Sequence, residues 1–278
     1  MIAIKNVFLI EDLSSLNSIS LNVATPIVAS FGLRALPIPV QIFTTQSESD
    51  EEIQCVSSIE WLHKTLESAH RQFKKQLNYG LVGYLGKEEI ITEILHTRLL
   101  DDLELLLVDP VMADEGKYYP MLNERYLGKL KELVKRADII TPNLTELAFL
   151  TGERYVQQPS LAQVKQQVQK LHRMSKKDAT IIVTGIEQVN QIGCLWSNGV
   201  SHGTFYLEKI PGHFYGTGDA FAAMLFSEMI TQKNLAEIIP SVMKSLQMAV
   251  EDTLSDQNDL KLGIDITRIL QCNQYRGE

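Results

Sequence analysis

Short runs of purely apolar residues, separated by longer amphipathic stretches, constrain this chain more than any other feature. LLLV (105–108) and IIV (181–183) are too short for buried helices and show no polar alternation. Such runs suit strands covered on both faces. Between them stand stretches with helical spacing of apolar positions: KEEIITEILHTRLL (87–100), LNERYLGKLKELVKRA (122–137) and SLAQVKQQVQKLHRM (160–174). Strand–helix alternation of this kind requires a mostly parallel sheet sandwiched between helices. The expectation is one three-layer α/β/α domain over residues 1–278.

The rest of the chain fits that frame. VFLI (7–10) reads as the first strand, and SISLNVATPIVASFG (18–32) as a helix stopped at Gly32. ALPIPVQIF (35–43) alternates, but Pro37 and Pro39 assign it to an edge or a strand start. A helix is expected near 57–76, a strand in YGLVGYLG (79–86), and a short helix over LTELAFLTG (144–152) closed by Gly152. After ATIIVTG (179–185) comes β-rich sequence with a hairpin tip at Asn198-Gly199. Two helices, 216–230 and 235–254, follow it.

Charge and cysteine usage exclude several classes. Lys and Arg number 26 against 34 Asp and Glu, a net charge of −8, which argues against nucleic acid or an acidic membrane as partner. Cys55, Cys194 and Cys272 are far apart, with no metal spacing and no disulfide framework. The apolar run near Met1 is too short for a signal peptide or a span. A cytoplasmic protein is the expectation.

Ligands of parallel sheets bind beyond the carboxyl ends of the strands. Asp109, Thr141-Pro142-Asn143 and Thr184-Gly185 follow strands and belong on that edge. The most distinctive stretch is HFYGTGDAFAAML (213–225). Gly216, Thr217 and Gly218 can bring backbone N–H groups together at a helix start, where the helix adds unsatisfied amides and its dipole. That is an anion cradle. An acid beside it, Asp219, makes sense as a base that takes a proton from an attacking alcohol. The competing role is a helix cap. Asn143 and Glu146, three apart, are either a capping box or a group that orients water around magnesium. Asp109 points toward the ligand edge or binds loop amides, and Thr184 touches phosphate or steadies its turn. Trp61 and Trp196 are assigned to packing, and His202 and His213 to surface or packing roles. Asp114 and Glu115 are assigned to a solvated turn. Neither a P-loop nor a dinucleotide fingerprint is present.

Four motifs in order, GYLG (83–86), DPVMADEGKYY (109–119), ADIITPNLTEL (137–147) and FYGTGDAFAAML (214–225), resemble the ribokinase-like superfamily, in its vitamin-kinase branch. The resemblance runs from residue 79 to about 250 and is greatest to pyridoxal kinases; hydroxymethylpyrimidine kinases usually carry methionine where Tyr84 stands. It implies a mostly parallel sheet flanked by helices, a homodimer, and transfer of phosphate from ATP to the 5′-hydroxymethyl group of pyridoxal, pyridoxine or pyridoxamine. It implies Asp219 as base and Gly216–Gly218 as the anion hole. Asn143, Glu146, Asp109 and Thr184 would surround Mg2+ and the ATP phosphates, with Glu146 and Asp109 nearest the metal. A monovalent cation such as K+ often assists. Tyr84, Gln46, Ser47 and Asp12 would bind the vitamin. The N-terminal part departs from the pattern: EDLSSLNSIS (11–20) lacks the family's glycine turn, and Gln46-Ser47 stand where a His-Thr pair is usual. The acidic run 44–51 is placed to act as a lid. A hydroxymethylpyrimidine or hydroxymethylpyrimidine-phosphate kinase, and a non-catalytic vitamin- or nucleotide-binding relative, are the alternatives.

Overall fold

The computed structural model describes residues 5–46, 52–73, 77–231, 234–255 and 260–274. Eleven strands occur among them: β1 (Asn6–Ser14), β2 (Arg34–Phe43), β3 (Cys55–Val56), β4 (Leu77–Val82), β5 (Leu105–Val108), β6 (Ala113–Asp114), β7 (Lys117–Tyr118), β8 (Ile139–Ile140), β9 (Thr180–Gln188), β10 (Gln191–Ser197) and β11 (His202–Glu208). The α-helices are α1 (Leu21–Ser30), α2 (Ile59–Phe73), α3 (Glu88–His96), α4 (Glu124–Val134), α5 (Leu144–Thr151), α6 (Leu161–Met174), α7 (Thr217–Ile230), α8 (Leu235–Ser255) and α9 (Thr267–Gln274).

Nine strands form one sheet in the order β11-β10-β9-β8-β5-β4-β1-β2-β3. The pairs from β2 through β9 are parallel, while β10, β11 and β3 add antiparallel edges. β6 and β7 make a separate hairpin. Side chains on the two sheet faces bury into two cores. Phe8, Ile10, Val82, Val108 and Ile140 pack under α2 to α6. Val7, Leu9, Leu81, Leu107 and Ile139 pack under α1, α7 and α8. Neighbouring residues of one strand thus enter opposite cores, which is why these strands read as continuous apolar runs.

Several elements differ from the sequence reading. α1 starts at Leu21, not near Ser18, because Ser20 leaves helical geometry at φ 48°, ψ −130°. Gly32 stops it as expected, at φ 75°. α2 covers Ile59–Phe73, inside the expected 57–76. Residues 99–102 form a 3-10 turn, not the end of α3. Thr184 and Gly185 lie inside β9, which continues to Gln188. The β6–β7 hairpin and α9 carry too few periodic positions to stand out in sequence. Trp61 is 47% exposed, so it is not a packing residue, whereas Trp196 packs on the α7–α8 core and over Gly203. The hairpin tip at Asn198-Gly199 is present, with Gly199 at φ 81°.

The sheet order sets the position of the site. β1 has β2 on one side and β4 on the other, so the chain leaves β1 in opposite directions in successive connections. A crevice opens at such a switch point. It lies toward the carboxyl end of β1, whose second half carries Glu11 and Asp12.

Candidate active site

A cavity of about 670 Å³ opens along the carboxyl edge of the sheet. That is room for two small ligands side by side. Asp12, Gln46, Tyr84, Asp109, Asn143, Glu146, Thr184, Gly216, Thr217, Gly218 and Asp219 all line it. Every described residue that the sequence nominated therefore reaches one space. Ser47, together with Glu48, Asp50 and Glu51 of the acidic run, lies outside the described residues. Asp114, Glu115 and His213, assigned to turns and surface, also line the cavity. The β6–β7 hairpin carries the two acids there, and His213 stacks edge-on against Tyr215 at 4.6 Å.

The glycine loop has two distinct requirements. Gly216 adopts φ 82°, and a Cβ there would meet the Ser18 carbonyl oxygen at 2.5 Å, so the fold itself demands glycine. At Gly218 a Cβ would meet nothing within 4 Å. That open side faces the cavity and leaves the first-turn amides of α7 free to approach a ligand. Thr217 turns its hydroxyl back onto the Phe214 carbonyl at 3.0 Å and braces the turn.

Asp219 occupies the first turn of α7, but the helix start has no side-chain cap hydrogen bond. Its Oδ2 instead accepts the backbone N–H of Ser20 at 2.7 Å, from 199 positions away. Gly216, not Asp219, is the N-cap residue, and the hydrogen bond described for Asp219 goes to Ser20. Burial raises the Asp219 pKa from its ordinary value, and the Ser20 N–H partly offsets this.

Asn143 and Glu146 do form a capping box. The Asn143 side chain accepts the Glu146 N–H, and Glu146 Oε2 accepts the Asn143 N–H, both at 2.9 Å. The box does more than cap. Glu146 Oε1 accepts the Met112 N–H at 3.1 Å, and Asn143 Nδ2 donates to the Ala113 carbonyl at 2.8 Å. The start of α5 is thus tied to the loop leaving β5, which carries Asp109. Asp109 Oδ1 accepts the Thr141 hydroxyl at 2.9 Å. Desolvation nevertheless drives the Asp109 pKa up to about 8, and Asp219 adds repulsion. Glu146 is raised by burial first and by Asp109 second.

The end of β1 supplies two more acids. A register shift between Glu11 and Leu13 marks an irregularity that re-aims Asp12. Asp12 is buried, its Oδ1 has no partner, and burial raises its pKa to about 7. Glu11 is 1% exposed; burial, then Asp219, Asp12 and Asp109, push its carboxyl well up. A Cβ on Gly83 would collide with Glu11 Oε2, so the first glycine of GYLG makes room for this acid. Glu11 and Ser20 were not nominated from the sequence. The signal was present: an acid pair directly after the apolar run VFLI, in a strand that the topology places at the switch point.

The far wall is built by Phe43 and Tyr84, whose ring centroids lie 6.4 Å apart. Gln46 is buried, with Nε2 unpartnered, and its backbone N–H donates to Asn17 Oδ1 at 2.9 Å. The same oxygen accepts from Ser14 and Thr45 at 2.9 and 3.0 Å. Gln46 is therefore a fixed wall residue, not part of a free lid.

No three His, Cys, Asp or Glu side chains come together as a metal cage among the described residues. Glu146 uses both oxygens on backbone amides, though each keeps a further lone-pair site. Asp109 and Glu146 suit a hard cation that arrives already held by phosphate oxygens and water, which needs only one or two protein carboxylates.

The fold that carries this site is shared with proteins of known structure. The pyridoxal kinase of Lactobacillus plantarum superposes with a TM-score of 0.91 and 28% identity, over 99% of this chain and 98% of that one. Phe43 and Tyr84 at one end and the glycine loop at the other thus sit on an established α/β kinase scaffold. The chain belongs to the phosphomethylpyrimidine kinase family, whose model matches residues 30–262. The pyridoxal kinase of Sus scrofa is 27% identical over 277 residues, covering 87% of this chain and 79% of that protein. The hydroxymethylpyrimidine/phosphomethylpyrimidine kinase of Haemophilus influenzae is 27% identical over 197 residues, covering 68% and 70%. The matches to relatives from Schizosaccharomyces pombe and Caenorhabditis elegans span only 65% and 56% of those proteins.

Proposed function

We propose that this chain is an ATP-dependent kinase that phosphorylates the 5′-hydroxymethyl group of pyridoxal and its pyridoxine and pyridoxamine forms. One observation carries the reading: Asp219 stands at the cavity wall in the first turn of α7 and does not cap that helix. A carboxylate there, held by Ser20, is free to receive a proton from a substrate hydroxyl. Its raised pKa makes it a stronger base than a solvated aspartate.

The acceptor alcohol would lie between the Phe43–Tyr84 wall and Asp219, with Asp12 and Gln46 as polar partners. ATP would occupy the other end, near Thr184 and the amides of Gly216–Gly218. Lys209 is the lone Lys or Arg lining the cavity among the described residues, and it is paired with Glu187 at 2.7 Å. Backbone amides and the α7 dipole are therefore the main phosphate donors. Mg2+ brought with ATP would neutralise phosphate charge, with Asp109 and Glu146 toward it and Asn143 fixing Glu146. We extend the proposal to K+ as a monovalent activator, a homodimer, one kinase domain over 1–278 and a cytoplasmic setting. No helix among the described residues is long and apolar enough to cross a membrane.

A second reading, phosphorylation of hydroxymethylpyrimidine or its phosphate, is favoured by Gln46, whose buried amide donor would suit a pyrimidine nitrogen. The test is a product assay with ATP, Mg2+ and each of pyridoxal, pyridoxine, pyridoxamine and hydroxymethylpyrimidine. Pyridoxal 5′-phosphate formed at the highest kcat/KM is the expected result. Preference for the pyrimidine transfers the assignment. Binding without any phosphorylated product makes the chain a non-catalytic binder.

A further inference from the structure

Ser20 holds a backbone conformation that serine rarely adopts. Its φ of 48° with ψ of −130° belongs to the region normally left to glycine. Ser20 is 5% exposed and lines the cavity. It stands at the N-cap of α1, a position serine favours because its oxygen can take a first-turn amide, yet it makes no such bond. Its carbonyl accepts the Val23 and Ala24 N–H groups at 2.9 Å, so the helix start is fixed in place. The left-handed φ then turns the Ser20 N–H away from the helix and onto Asp219 Oδ2. The hydroxyl, not used as a cap, stands by Asp12 and favours its ionised form.

We propose that Ser20 is a positioning residue for Asp219: its strained backbone aims one N–H at Oδ2 and so fixes the orientation of the carboxylate that receives the substrate proton. The strain has a use, since a relaxed serine in this place would direct its N–H elsewhere. The glycine turn that the sequence lacks is replaced by one serine in a glycine-like conformation. This role rests on the assignment of Asp219 as base, but the contact itself does not depend on which alcohol is phosphorylated.

Two measurements test it. The first is hydrogen exchange of the Ser20 amide, which needs no substrate. In the Asp219→Ala chain that amide is expected to exchange at least about tenfold faster than in the wild type, while the Ala24 amide, bonded to the Ser20 carbonyl, is unchanged. An unchanged Ser20 rate overturns the contact. The second is kinetic, with the best alcohol from the product assay. Ser20→Val places a β-branched residue at positive φ and is expected to lower kcat at least about tenfold, leaving KM for ATP within about twofold. Ser20→Gly, which accepts the same φ, is expected to restore kcat to within about threefold of wild type. A folded Ser20→Val chain with wild-type kcat overturns the proposal. Should Ser20→Val fail to fold, the exchange result decides. If no alcohol is turned over, the kinase reading fails while the exchange result still judges the contact.

Discussion

The Thr141 hydroxyl donates to Asp109 Oδ1 at 2.9 Å, and this bond holds an acid in place against its own electrostatics. Asp109 lies near Asp219, Glu11 and Glu146, with burial raising every one of these carboxyls. Without a cation the group is costly to ionise. Asp109→Asn keeps the size and the Thr141 partner while removing the charge. We expect it to raise the Tm of the ligand-free protein at pH 8 by roughly 2–5 °C and to abolish most turnover. An unchanged or lower Tm by calorimetry contradicts the picture of a strained acid.

The same acids set how stability varies with pH. The native Asp109 and Asp12 carboxyls, at about 8 and about 7, keep their protons at pH values where the unfolded chain has already lost them. The native state thus binds more protons than the unfolded one from about pH 4 to pH 8, and unfolding free energy falls as pH rises through that window. The contribution is complete below the unfolded pKa and is lost above the folded one. Chemical denaturation of the ligand-free protein is expected to show a higher midpoint at pH 6 than at pH 8. Asp109→Asn should flatten the difference.

Binding of Mg2+ with ATP should reverse the shift at Asp109 by bringing positive charge beside it. Protons are then released on binding. Titration calorimetry at pH 7 in buffers of different ionisation enthalpy will show this as a buffer-dependent heat, reduced in Asp109→Asn. Heats that are equal in all buffers would count against it.

Asp219→Asn should bind ADP within about threefold of wild type and lose about 10²–10⁴ in kcat, the usual range for a positioned base. Wild-type turnover would end the assignment.

Asn17 offers a separate test of the proposed vitamin end. Its Oδ1 gathers Ser14, Thr45 and the Gln46 N–H, and its Nδ2 donates to the Lys261 carbonyl at 2.7 Å. Asn17→Ala releases Gln46 without touching the phosphate end. KM for the alcohol is expected to rise about tenfold while KM for ATP stays within about twofold. Equal effects on both would mean a general loss of fold.

Much of this site could be read from the chain itself. Asp109, Asn143 and Thr184 were found because they follow apolar strand-forming runs; Asp109 and Asn143 lie beyond the ends of β5 and β8, and Thr184 reaches the same cavity from within β9. The glycine loop was legible because a local motif carries its own geometry. Glu11 and Ser20 were not, for a different reason in each case. Glu11 joins the site only because β1 lies at the switch point, which depends on pairings between distant segments. Ser20 matters through its backbone, and nothing in a serine's side chain announces a left-handed φ. Glu146 shows the opposite limit: its capping box is present, and its other oxygen also holds the loop beside Asp109, so one residue's two oxygens serve both α5 and that loop.

The prolines of β2 also bear on how copies of this chain can meet. Pro37 and Pro39 are two apart, so their missing donors lie on one side of the strand, and the ladder with β1 runs on through both positions. The gap therefore faces outward, where β3 covers β2 only at Ile42 and Phe43. An outer rim with two silent positions is a poor template for another strand. Self-association by extending the sheet is discouraged along that stretch, and a dimer built on this rim would need side-chain contacts in place of a shared ladder.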